Sequence, residues 1–179
     1  MRAKRGYTRC GIFDFFFPAF IRRENIFKLA SISRLCRNTM DGFLSSIIVQ
    51  GCKGSGKSHL LFDESMKPEG DEAQNTSASS SSGGLIQMCI DQMWSESRKV
   101  KKHSTFGLSI AAVSLCDNEC VDLQDVQGQQ PEVTWNPESS QYEFRPLVKH
   151  ECASRRDTLN RIAEVRSTFR SYSGRVGRG

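Results

Sequence analysis

No stretch of this sequence approaches 18 consecutive apolar residues, which excludes a helix that crosses a membrane. The first ten residues are basic and lack the apolar core of a secretory signal, so the chain reads as intracellular, with no membrane partner. No Cys-x-x-Cys pair occurs among the seven cysteines. A zinc site from Cys116, Cys120, His150 and Cys152 would lack the tight paired spacings of structural zinc, and reduced thiols are expected instead. There is no internal repeat, and no coiled-coil heptads follow the apolar segments, so no dimerisation stalk is visible.

What is present is an ordinary globular mixture. Of 179 residues, 37% are hydrophobic and 25% charged, which suits one domain. The net charge of +5 hides an asymmetry. Residues 1–60 carry 11 basic and 3 acidic side chains, residues 61–151 carry 7 and 15, and residues 152–179 carry 7 and 2. Basic ends attract acidic partners in principle. Solvated charge on tails and helix faces is the simpler reading, and nucleic acid is not expected as a partner.

Periodicity sketches the organisation. Gly11 to Pro18 is aromatic and reads as a short strand stopped by its proline. Ile26, Leu29, Ala30, Ser33, Leu35, Cys36 and Met40 recur at helical spacing, with Asp41-Gly42 as the stop. Ile47-Ile48-Val49 is β-branched and uncharged, as a buried parallel strand would be. The Ser- and Gly-rich stretch within residues 64–84 cannot bury apolar surface and reads as a disordered insertion. Leu85 to Glu96 resumes helical spacing, and Phe106 to Leu115 reads as a second core strand. Residues 127–140 are loop-like, and Gln141 to Val148 suggests a weaker strand. Ser154-Arg-Arg-Asp157 is a capping-box start for a last helix carrying Leu159, Ile162, Ala163 and Phe169.

The chemistry concentrates in Gly51-Cys52-Lys53-Gly54-Ser55-Gly56-Lys57-Ser58, which fits the phosphate-binding loop pattern Gly-x4-Gly-Lys-Ser. Polyphosphate oxygens need several donors at close range. Glycines let the backbone turn tightly and aim N–H groups inward, and a following helix adds its positive end. Lys57 can reach the β- and γ-phosphates, and the Ser58 hydroxyl can meet Mg²⁺. His59 follows directly and lies near the base or phosphates, or else on a helix surface. A second part, an acidic residue at a strand end, has one candidate region, Asp117 to Glu119, which reads more simply as strand residues running into a polar turn.

At this point a family resemblance emerges. Phe13-Asp-Phe-Phe-Phe-Pro18 resembles the FDxVFxP strand of kinesin motor domains. Glu24-Asn-Ile-Phe27 and Met40-Asp-Gly-Phe43 resemble the helix and turn that follow it. Ser46 to His59 is similar to TIFAYGQTGSGKTH, Gly84-Leu-Ile-Gln87 to GIIPR, and Val113 to Leu123 more loosely to VSYLEIYNExVxDLL. The resemblance implies an α/β P-loop NTPase fold: a three-layer sheet with helices on both faces, in an incomplete motor domain. Residues 1–10 become a basic extension, 11–170 the motor portion with its insertion at 64–84, and 171–179 a flexible Arg/Gly tail. It further implies ATP with Mg²⁺ held at Gly51 to His59, microtubules as partner, and a place on the cytoskeleton in the cytoplasm. The sequence departs from the family where an adenine-side aromatic is replaced by Gln50, and where the NxxSSRSH and DLAGSE switch motifs are missing. A truncated or divergent motor is therefore expected, one that turns over ATP poorly or not at all in isolation. The competing readings are a non-motor pseudo-ATPase interaction module and another P-loop ATPase or kinase using Asp117 or Glu119.

Overall fold

A computed structural model of the protein describes residues 13–62, 83–99, 106–116 and 119–176. The expected extension at 1–10, most of the insertion at 64–84, and Asp117 lie outside the described residues. The elements in order are α1 (Arg23–Leu29), α2 (Ile32–Met40), α3 (Lys57–Leu61), α4 (Leu85–Ser97), β1 (Leu108–Ile110), β2 (Val113–Cys116), β3 (Glu119–Asp122), β4 (Glu132–Asn136), β5 (Gln141–Arg145), β6 (His150–Cys152) and α5 (Arg155–Val176).

The expected helix over residues 26–40 is two helices. Ser31 takes a left-handed conformation (φ 57°), and its carbonyl accepts from Arg34 and Leu35, so the chain restarts as α2 at a new angle. The break lets Phe27 of α1 and Ile32 and Cys36 of α2 converge on Leu85 of α4, with Leu60, Met88, Cys89 and Met93 packed around them. Arg34 and Arg37 of α2 lie outside this seam, as the amphipathic spacing requires.

Helix α4 matches its expected span. Its N-cap is Gly84, where a side chain would fall 2.3 Å from the Leu61 carbonyl oxygen, so only glycine lets α4 start hard against the end of α3. Helix α5 begins with the expected capping box. The Asp157 N–H donates to Ser154 Oγ at 3.1 Å, and Asp157 Oδ2 accepts from the Ala153 N–H at 3.0 Å. It continues to Val176, six residues into the segment expected as a flexible tail. Helices α4 and α5 are joined by a hydroxyl relay. Trp94 Nε1 donates to Thr158 Oγ1 at 3.0 Å, and that hydroxyl donates to the Ser154 carbonyl at 2.8 Å. Arg155 pairs with Asp91 alongside.

The strands differ most from expectation. The expected single layered sheet is, among the described residues, three separate antiparallel pairs: β1–β6, β2–β3 and β4–β5. The expected strand over residues 106–115 splits at Ala111-Ala112, because β1 and β2 take different partners. The loop-like stretch contains β4, which pairs with β5 around a turn at residues 137–140. Its register puts Trp135 opposite Tyr142, with ring centroids 5.0 Å apart. Residues 13–18 and 43–50 form no strand, and Ile48 is 86% exposed. A strand needs a neighbour to bond its N–H and C=O groups, and the described residues offer none beside either segment.

Buried Asp122 ties the strand pairs together. Its carboxylate accepts from the Gln124 N–H at 2.8 Å and the Val148 N–H at 2.7 Å. The Gln124 amide then donates to the Ile110 and Val148 carbonyls, both at 3.0 Å.

Candidate nucleotide-binding site

Residues 43–50 deliver the chain into the loop at Gly51, and α3 carries it away from Lys57. Between them Gly54 and Gly56 adopt left-handed conformations (φ 81° and 90°), which L side chains resist. Gly51 (φ 156°) is needed for a second reason: a Cβ there would lie 2.6 Å from Ser55 Oγ. The loop closes on itself through a Ser55 N–H to Cys52 carbonyl bond of 3.2 Å. Cys52, Lys53 and Ser58 are exposed at its surface.

The Lys57 ammonium folds back over the loop and donates to the carbonyls of Gly51 and Cys52, each at 2.6 Å. A cation is thus held at the loop's centre, where an anion would need it. The N–H groups of the first helical turn have no intrahelical acceptors and are available to such an anion. The helix expected to begin at His59 starts at Lys57, and as α3 is only five residues long, its end contributes less than that of a longer helix would.

Beside the loop lies a cleft of about 570 Å³. Its lining includes Phe17, Pro18, Arg22, Arg23, Glu24 and His59. Arg23 meets the imidazole edge of His59, with one guanidinium nitrogen 2.9 Å from Nε2 and 3.1 Å from Nδ1. His59 therefore faces this cleft and not bulk solvent alone. The Arg23–His59 contact spans 36 positions and has no sequence signature. Apolar lining from Phe17 and Pro18 with the polar ring of His59 suits a planar heteroaromatic group.

The acidic half of the site is not assembled among the described residues. Glu119 opens β3 as an exposed residue. No group of three or more His, Cys, Asp or Glu side chains that could hold a metal occurs among the described residues. The residues present fit a divalent cation only as one carried by the phosphates, with Ser58 as its protein oxygen.

Three comparisons bear on this site. A family profile described as the kinesin motor domain matches residues 2–174. No curated protein matches. A solved structure of a fast kinesin, concerned with its ATPase mechanism and interactions with microtubules, superposes with a TM-score of 0.73 at 14% identity. The superposition covers 87% of this chain and 40% of that one. At that identity the likeness is one of fold, so the P-loop NTPase architecture stands even though the described strands are split. The chain spans less than half the length of the motor it superposes on.

Proposed function

The chain belongs to the kinesin motor-domain family, and on that premise we propose that residues Gly51 to His59 hold ATP with Mg²⁺ as part of a microtubule motor. The observation that carries the reading is the glycine-turned loop closed around the Lys57 ammonium. Gly51, Cys52, Lys53, Gly54 and Gly56 supply backbone donors to the phosphates, Ser55 joins them once its N–H leaves the Cys52 carbonyl, and Lys57 supplies positive charge. Ser58 presents its hydroxyl to the metal. The base rests in the cleft against Phe17, Pro18 and His59. The bound nucleotide supplies the phosphoanhydride bond whose hydrolysis drives movement.

Hydrolysis needs a positioned water and further charge neutralisation beyond a phosphate cradle. Turnover, microtubule binding and residence on the cytoskeleton are accordingly proposed for the complete protein. One observation favours a second reading, a nucleotide-binding module without turnover: residues 43–50, which aim the loop, run without a strand partner among the described residues. A steady-state ATPase assay with microtubules separates the two, since only a motor shows stimulated turnover.

Binding is tested with a fluorescent ATP analogue and Mg²⁺. Saturable binding is expected, weakened about 10- to 100-fold in Lys57→Ala, the range for losing a charged hydrogen bond. Equal binding by the folded variant would remove the loop from the site.

A further inference from the structure

We propose that Cys36 and Cys89 form a reversible disulfide that staples α2 to α4 when the protein meets a peroxide. The proposal is independent of the nucleotide site. Both residues belong to one hydrophobic cluster, Cys36 buried on α2 and Cys89 half-buried on α4. Each lies one helical turn beyond an apolar member of that cluster, Ile32 on α2 and Leu85 on α4, so the two helices place both sulfurs on their shared seam. Helices α2 and α4 pack against each other along this seam, with Cys89 set against the cluster that contains Cys36. The other described cysteines lack such an arrangement: Cys52 is exposed on the phosphate loop, and Cys120 and Cys152 sit in different strand pairs.

The pair is also chemically unequal. The hydrogen bond from Cys89 holds the Cys36 thiol below the ordinary thiol value, against the opposing effect of burial. The same bond, with burial, pushes Cys89 up. Thiolate is the reactive form, so Cys36 is the sulfur that attacks when local opening of the buried α2–α4 seam admits the peroxide. Its attack on a peroxide oxygen breaks the O–O bond, giving Cys36 sulfenic acid and water, the displaced hydroxide having taken the thiol proton. The Cys89 sulfur then attacks Cys36 Sγ. The S–O bond breaks, and the leaving hydroxide takes the Cys89 proton as a second water. Two thiols lose two electrons, and one peroxide becomes two waters. The ring so closed, from residue 36 to residue 89, contains the whole phosphate loop. A dithiol reductant reopens it by exchange.

The test treats the full chain with hydrogen peroxide, alkylates it in denaturant, and maps its peptides by mass spectrometry without reduction. The expected product is a Cys36–Cys89 peptide pair about 2 Da lighter than its two parts, as loss of two hydrogens requires, reverting with dithiothreitol. Cys89→Ser removes it and Cys52→Ser does not. A second measurement does not depend on a core variant folding: the oxidised chain should melt about 5–10 °C above the reduced one. Continued alkylation of Cys36 and Cys89 while Cys52 is oxidised would overturn the proposal. So would a bond from Cys89 to another cysteine or another chain.

Discussion

Residues 13–20 and 43–50 and the strands β1, β3 and β6 around Asp122, with the turn after β3, are built from similar residues, and they end in opposite states. In the first, Phe13, Phe16, Phe20, Leu44 and Ile48 are each at least 79% exposed. In the second, Val121, Leu123 and Cys152 are buried, and the polar groups beside them are bonded through Asp122 and Gln124. Apolar content alone therefore does not decide burial. A strand can be buried only when its backbone groups have partners that travel inward with it. Flanks without them stay at the surface, where they are open to pairing with another chain.

Four substitutions or conditions test this contrast. Asp122→Ala should have the largest effect, because it leaves the half-buried Gln124 and Val148 N–H groups without their carboxylate acceptor. A loss of about 3 kcal/mol in urea unfolding is expected. If stability is unchanged, the carboxylate does not hold the strand pairs. Thr158→Val removes a fully buried hydroxyl that both accepts from Trp94 and donates to Ser154, and should cost about 2 kcal/mol. Ile48→Lys should leave stability within about 0.5 kcal/mol while suppressing self-association in light scattering. A loss as large as that of a core residue would instead mean that this flank is buried in solution.

The smallest effect is a pH dependence in the β4–β5 hairpin. Asn136, Arg145 and Ser139 bond the Glu143 carboxylate and hold its pKa down to about 2, below the ordinary 4.5. A group whose pKa is lower in the folded state stabilises the fold above its unfolded value and loses that contribution as the pH falls. The hairpin should therefore loosen between about pH 4.5 and pH 2 in Trp135 fluorescence, and Glu143→Gln should flatten that change. A titration unaltered in Glu143→Gln would assign it to another carboxylate.

Legibility in the sequence followed the range of each interaction. The phosphate loop was readable because its glycines, lysine and serine are contiguous and each answers a local demand. Helices α4 and α5 were readable from spacing and from the Ser154–Asp157 box, which acts within four residues. The break at Ser31 was not, since neither glycine nor asparagine marks that left-handed residue. Ile47-Ile48-Val49 was misread as buried because an apolar run says what a strand can pack against, not whether a neighbour exists. Strand β4 was hidden among polar turn formers and is specified by its partner across the turn. The cleft beside the loop depends on Arg23 reaching His59 from a distant helix, which no local pattern records.

The bonds from Lys57 to the Gly51 and Cys52 carbonyls carry a kinetic and thermodynamic consequence for any anion entering the loop. The lysine already has an internal occupant to leave, so the receptive loop is a fraction of the population, and measured affinity is the intrinsic affinity scaled by that fraction. Each tenfold bias toward the self-bonded form weakens apparent binding tenfold. The loop thus acts as its own competitor, rejecting weakly charged anions and yielding only to those whose charge repays the displaced carbonyls.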